Sequence, residues 1–272
     1  MKMLVEEPAL ILEILQQLSP DSSKNNLKSW IEQGRVAIDG RLSLRWNRRV
    51  LRGEEVVVRP KVQLVGGGVK LLFEDDHLVI IEKPVKLLSV ASETEFEKTA
   101  HNILKRRTKH RVWPVHRLDK DTSGVMMFAY TEEARDKLKD KFEIHDIERE
   151  YHGLVEGILT PPTGTWESNL VEDASYFVRS DEKGKRAITH YTVISQNANV
   201  ALVKFQLETG RKNQIRVHCA DAGHPIAGDL KYGSKIRFFK RLCLHASLLG
   251  FEHPITKKKM SFTAPLPTFF HA

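Results

Sequence analysis

HRLDKDTSGVMMFAY, residues 116–130, joins a charged turn to an unbroken apolar run. Side chains from Val125 onward are apolar without alternation. Such a run directly after a glycine reads as a strand buried on both faces, at the centre of a sheet. The turn in front of it carries His116, Arg117, Asp119, Lys120 and Asp121, so a carboxylate, Asp119, stands at the mouth of a hydrophobic strand. Taken alone, the pair His116 and Asp119 is as compatible with ordinary hydrogen bonding as with catalysis.

The elements around this strand are also legible. LLFEDDHLVIIEKP (71–84) reads as a hairpin turning at Asp75-Asp76, and FEKTAHNILKRR (96–107) and TEEARDKLKDKF (131–142) read as amphipathic helices. In the second helix Thr131 is the expected N-cap, Glu132 and Glu133 complement the helix dipole, and Ala134, Leu138 and Phe142 recur every fourth residue. AITHYTVISQNANVALVKFQLETG (187–210) predicts a long hairpin turning in Gln196–Asn199. LHASLLGFEHPITKKKMSFTAP (244–265) predicts another with its turn in the lysine run. Long hairpins with few helices indicate an α+β fold with a mixed, mainly antiparallel sheet.

Further upstream, VQLVGGGVK (62–70) places three glycines in a row. The expectation is a glycine linker over 62–69, separating a small domain at 1–61 from a large one at 70–272. In the small domain, ALILEILQQL and SPDSSKNNLKSWIEQG read as helices, the second burying Leu27, Trp30 and Ile31. VAIDGRLSL reads as a hairpin around Asp39-Gly40, and EEVVVRP as a closing strand. This α/β unit is dense in cations: Lys24, Lys28, Arg35, Arg41, Arg45, Arg48, Arg49 and Arg52 interleave with Trp30 and Trp46. Cations that neutralise phosphate beside rings that stack on bases suit RNA.

Composition narrows the classes. Forty-three Lys and Arg against 35 Asp and Glu give a net charge of +8, which makes a polyanion the leading partner. No apolar run approaches the roughly 20 residues that a membrane helix needs. Two cysteines, Cys219 and Cys243, form no CxxC pair, so neither a disulfide scaffold nor structural zinc is expected. The N-terminus lacks the pattern of a secretory signal, and the expected location is the cytoplasm. A second candidate segment, LETGRKNQIRVHCADAGHPIAGDLKYG (207–233), brackets several cations with Gly210, Gly223, Gly228 and Gly233 but has neither phosphate-loop nor dinucleotide order. Read by itself, Arg216 in this segment stands near a strand end, a place for a surface or phosphate contact.

Together these segments say more than each alone. HRLDKDTSGVMMFA, then REYHGLVEG, then ETGRKNQIRVHCADAGHPIAGDLKYG, then LCLHASLLGFEHP, in this order, resemble the RluA family of RNA pseudouridine synthases over the last three-quarters of the chain. SKNNLKSWIEQGRVAIDGRLSLRWNRRVLRGEEVVV (23–58) resembles the small RNA-binding domain shared by ribosomal small-subunit protein four and several RNA-modifying enzymes, although EEPALILEIL replaces its usual basic first helix.

The resemblance implies the pseudouridine synthase fold and an isomerisation: the uracil ring is cut from its ribose, turned in the pocket and rejoined through a ring carbon. It implies Asp119 as the essential catalytic residue, acting as a nucleophile or in proton removal. Arg216 is its implied partner, a guanidinium able to form two parallel hydrogen bonds. Tyr151 is implied to stack on the uracil and assist proton transfer, and Arg117 to hold a flipped nucleotide. His116, Asn213, Gln214 and Leu244 complete the implied substrate pocket, with Asn213 standing where the family commonly has histidine. Lys24, Lys28, Arg35, Arg45, Arg48 and Arg49 are the expected RNA contacts of the small domain. No metal or other cofactor is implied, and the partner is RNA, ribosomal first and transfer RNA second, bound by a monomer. A catalytically silent RNA-binding assembly factor is a further alternative. A carboxylate-dependent glycosidase would need a second acid, and no acid pair is apparent.

Overall fold

The computed structural model describes residues 1–32, 35–43, 45–58, 63–92, 95–237 and 239–271. The chain divides into two compact units, Met1–Gln63 and Leu64–Ala272. The expected boundary at residues 61–62 lies outside the described residues.

The first unit runs β1 (Lys2–Leu4), β2 (Ala9–Leu10), α1 (Ile11–Leu18), α2 (Lys24–Glu32), β3 (Val36–Ile38), β4 (Arg41–Leu42), β5 (Arg49–Val50) and β6 (Glu55–Val58). Asp39 and Gly40 both take positive φ, 47° and 77°, which makes the tight turn between β3 and β4. Leu27, Trp30 and Ile31 recur at helical spacing and pack with Ile11, Ile14 and Leu15 of α1 into one core. Trp30 is 7% exposed, whereas Trp46 is 50% exposed with the Lys28 ammonium 4.7 Å above its ring. Of the expected RNA contacts, Lys24, Arg45 and Arg49 are exposed. Arg48 is held by Glu54 at 3.0 Å, and the Arg35 guanidinium lies 4.6 Å from the ring centre of Trp30.

The second unit contains β7 (Gln63–Gly66), β8 (Val69–Glu74), β9 (Leu78–Lys83), α3 (Ala100–Arg107), β10 (Trp113–Pro114), β11 (Ser123–Ala129), α4 (Glu132–Glu143), β12 (Glu148–Glu156), β13 (Thr163–Glu172), β14 (Val178–Ser180), β15 (Lys185–Gln196), β16 (Val200–Leu207), α5 (Gln214–Asp221), β17 (Leu244–Glu252) and β18 (Lys259–Thr263). Its sheet runs β14-β13-β15-β16-β12-β17-β11-β9-β8-β7, with β10 beside β11 and β18 beside β17.

The glycine linker expected over 62–69 is corrected here. Gln63–Gly66 is strand β7, and Gly67 and Gly68, with φ of 54° and 77°, form the turn to its neighbour β8. Glycine supplies left-handed backbone as readily as it supplies slack.

All seven residues of β11 are buried, as an unbroken apolar run requires of a central strand. It pairs antiparallel with β9 and parallel with β17, where Ser123 faces His245 and Gly124 faces Ala246. Gly124 has a φ of 121°, and a Cβ there would lie 2.0 Å from the Ala246 carbonyl oxygen. The parallel contact therefore brings the residues just before β11 against the start of β17. Thr131 caps α4 by accepting from the Ala134 N–H at 3.2 Å.

Candidate active site

The turn into β11 is fastened at every second residue. The His116 Nε2 accepts from the Met127 N–H at 3.0 Å. Ser89 clamps the Leu118 peptide, its hydroxyl accepting from the Leu118 N–H at 3.0 Å and donating to the Leu118 carbonyl at 2.7 Å. Lys83, with no exposed surface, donates to the carbonyls of Lys120 at 3.2 Å, Pro84 at 3.0 Å and Leu87 at 2.7 Å. The turn so fastened lines a cavity of about 770 Å3 from Val115 to Asp119, and it presents the charged side chains of Arg117 and Asp119 there. That volume is ample for a small ligand.

His116 is a support. It stacks on Phe142 at 4.8 Å, and burial, with the Arg149 charge adding to it, pushes its pKa down to about 3, so the ring stays neutral as an acceptor.

Arg216 sits in the first turn of α5, not near a strand end. Its fork is spent on a residue that sequence reasoning missed: Nε and Nη2 donate to the Asp229 carboxylate at 2.7 and 2.8 Å, and the Asp229 side chain is 1% exposed. Nη1 donates to the Asn213 Oδ1 at 3.1 Å and approaches the Asp119 carboxylate at 3.8 Å. The two parallel bonds expected between Arg216 and Asp119 are thus made with Asp229 instead, because a planar guanidinium locked by one buried carboxylate has a single nitrogen left to offer. The guanidinium also lies 4.9 Å from the ring centre of Tyr232.

Burial raises the Asp119 pKa above the ordinary carboxylate value, while the charges of Arg216, Arg117 and Lys83, in that order, pull it down and that of Asp229 adds to the rise. Its side chain keeps 21% exposure through the open cavity. For Arg216, burial opposes the charge, but Asp229 and then Asp119 outweigh it and the pKa is raised. The buried Lys83 is driven by desolvation down to about 7, with Asp119 and Asp121 resisting.

Asn213 holds a left-handed φ of 54° at the start of α5 and donates from Nδ2 to the Tyr232 hydroxyl at 2.9 Å. Gln214 lines the cavity, but its amide is consumed by protein. Its Oε1 accepts from the Thr209 hydroxyl at 2.7 Å and the Arg211 N–H at 3.0 Å, and its Nε2 donates to the Ile188 carbonyl at 2.8 Å and to Thr189 at 3.0 Å. Asn213 and Gln214 therefore position Arg216 and α5. Leu244, 3% exposed, gives the cavity an apolar wall.

Tyr151 reaches the same cavity from β12, where the pairing with β17 shifts register between Glu150 and Tyr151. A bulge of this kind re-aims the side chain that follows it. Burial raises the Tyr151 pKa to about 12, against the nearby Arg149 charge and with that of Asp119. Arg149, also missed from sequence, is 8% exposed, lines the cavity and donates to the Glu208 carbonyl at 2.8 Å. One carboxylate, a tethered guanidinium, a phenol and an apolar wall thus converge on one space. Such a set can receive a planar ring, stabilise charge at one point and exchange a proton.

Comparison with known proteins agrees with this arrangement. The profile of the RNA pseudouridylate synthase family matches residues 77–221, which contain Asp119, Tyr151 and Arg216. The ribosomal large subunit pseudouridine synthase D of Haemophilus influenzae is 33% identical over 285 aligned positions, covering 95% of this chain and 88% of that one. Its counterpart from Xanthomonas campestris is 34% identical, covering 93% and 84%. Among solved structures, human RNA pseudouridylate synthase domain containing 4 superposes with a TM-score of 0.61 at 24% identity, over 74% of this chain and 90% of that one. Domain containing 1 superposes with a TM-score of 0.62 at 22% identity, over 76% and 86%. Profile, relatives and fold agree, and the chain belongs to the RNA pseudouridylate synthase family.

Proposed function

We propose that this protein isomerises uridines in large-subunit ribosomal RNA, with Asp119 as the catalytic carboxylate. The observation that carries the assignment is the placement of Asp119, presented to the cavity by a turn fastened on both sides and faced at 3.8 Å by Nη1 of Arg216. Ribosomal RNA as substrate is supported by the relatives, whose alignments span nearly the whole chain. A uridine leaves its stack at a cost of about a few kcal/mol and enters the cavity. Asp119 attacks the anomeric carbon or removes a sugar proton, the bond to the ring nitrogen breaks, the ring turns, and a ring carbon bonds to the ribose. Loss of the proton on that carbon restores the ring, so nothing is added overall.

Arg216 favours the ionised form of Asp119. Tyr151 stacks on the ring and assists the last proton transfer, Leu244 covers the ring's apolar surface, and Arg117 holds the extruded nucleotide. The first unit is the RNA-binding domain, using Lys24, Arg45, Arg49 and the Lys28–Trp46 pair. The catalytic set is complete within one chain, which supports a monomer, acting in the cytoplasm where ribosomal RNA is assembled.

Mapping pseudouridine in ribosomal and transfer RNA from a deletion strain, complemented with parent or Asp119→Asn, tests this. The expected result is one or more large-subunit positions restored by the parent alone. Positions confined to transfer RNA would refute the substrate, and restoration by the Asn variant would refute the catalytic role.

A further inference from the structure

The chain entering β10 reads KRRTKHR, residues 105–111, with five Lys or Arg and no acid. Arg107 is consumed by Glu74 in a fork of 2.6 and 2.7 Å, while Lys105, Arg106, Lys109 and Arg111 are exposed. The Arg111 guanidinium lies 3.8 Å from the ring centre of Trp113, and that of Arg135, from α4, lies 4.4 Å from the same ring. One turn along α4 from Arg135, about 6 Å by helix geometry, Lys139 is exposed and lines the cavity. Lys139 at the cavity rim, Arg135, and Arg111 across Trp113 thus lead from the cavity toward the 105–111 segment, among the acids that α4 also carries. Glu132 lies 3.8 Å from Arg111, a solvent-facing pair that holds weakly and can yield to a phosphate, whereas Arg135 is forked by Asp136 at 2.7 and 2.9 Å and shares its charge there.

Another exit from the cavity has the opposite character. A groove of about 750 Å3 shares His145, Arg149 and Leu207 with the cavity and is lined by four acids, Asp146, Glu148, Glu208 and Glu252, against one further lysine, Lys259. A polyanion is repelled there and drawn instead toward the cationic 105–111 segment.

We infer that the RNA strand flanking the extruded nucleotide leaves the cavity over Lys139 and Arg135 and is held by its phosphates on Arg111, Lys109 and Arg106. The inference rests on the RNA reading above and adds the path. Trp113 keeps the two guanidiniums at fixed positions, so the path has a defined direction.

The test compares parent protein with the variant Arg106→Ala/Lys109→Ala/Arg111→Ala and with the charge-preserving Arg106→Lys/Lys109→Arg/Arg111→Lys. Each is titrated with a labelled large-subunit ribosomal RNA transcript between 50 and 200 mM KCl. Three lost phosphate contacts should make the slope of log affinity against log salt shallower by about 2, so that the parent's advantage shrinks about 20-fold across the range. The charge-preserving variant should keep the parent's slope. A neutral variant with the parent's slope, or a charge-preserving one that loses as much as the neutral one, overturns the path. Pseudouridine formation by the parent is scored on the same transcript. Its absence counts against the ribosomal RNA reading, whereas its presence with unchanged slopes counts against the path alone.

Discussion

Asp229→Asn isolates the residue that holds Arg216. The carboxylate accepts two charge-assisted bonds, at 2.7 and 2.8 Å, in a place where its own side chain is 1% exposed and that of Arg216 is 9% exposed. Asparagine has nearly the same shape, but its single oxygen can accept only one arm of the fork, and its NH2 group meets the other arm donor to donor. Removing one partner of a buried pair costs about 3–5 kcal/mol because the remaining charge is stranded. The retained bond places Asp229→Asn near the lower end, about 3 kcal/mol or roughly a 150-fold change in the folding equilibrium. Urea denaturation reads this term. Activity reads a second one: a guanidinium freed from its anchor loses its position relative to Asp119, and a displacement on the order of 1 Å costs about 100-fold in single-turnover rate. The pH profile separates positioning from simple instability. Among the charges around Asp119, Arg216 lowers its pKa most and Asp229 raises it least, so a guanidinium displaced from its anchor moves the acidic limb of the rate profile to higher pH. A stability loss below about 1 kcal/mol with an unmoved limb would refute the claim that Asp229 holds the site together.

Asp119→Asn should abolish product formation and stabilise the fold at neutral pH. Burial raises the folded-state pKa of this carboxyl above its unfolded value, so its favourable contribution is present at acid pH and lost as pH rises past the ordinary carboxylate range; chemical denaturation at pH 4 and 7 would show the parent, not the variant, losing that increment. Lys83→Met should cost about 1–3 kcal/mol for each carbonyl left unpaired. Because the Lys83 pKa is depressed to about 7, the unfolded chain binds the extra proton, and the parent should gain stability from pH 7 toward 10 in a way the variant does not. Gly124→Ala, with its Cβ 2.0 Å from the Ala246 carbonyl oxygen at a φ of 121°, should lose upwards of about 3 kcal/mol in thermal or urea unfolding.

What could be read from sequence follows from the range of the forces involved. The hairpin turns at Asp39-Gly40 and Asp75-Asp76, the Thr131 cap and the buried β11 are set by neighbours in the chain, so local chemistry exposes them. Helix α5 escaped because Gln214, Ile215, Arg216, Val217, His218 and Cys219 are all buried, and a helix enclosed on every side has no polar face to give it a period. The same enclosure hid Asp229, whose partner lies 13 residues away, and Lys83, whose carbonyl on Lys120 is 37 residues distant. The three glycines misled because a strand turn and a flexible tether use the same residue for the same freedom of φ. Family resemblance supplied Asp119, Arg216 and Tyr151 as a set; in the fold the Arg216 fork goes to Asp229.

The parallel seam between β11 and β17 also governs when the enzyme can exist. Ser123 and His245, bonded at 2.8 Å, are 122 residues apart, and closing so long a loop is slow. During translation the segment bearing Asp119 emerges well before its scaffold, and a nascent chain that stops short of Leu244 has the carboxylate but no seam to brace it. Catalytic competence thus waits on elongation through the Leu244–Ala246 segment, and a nonsense truncation before Leu244 should be null.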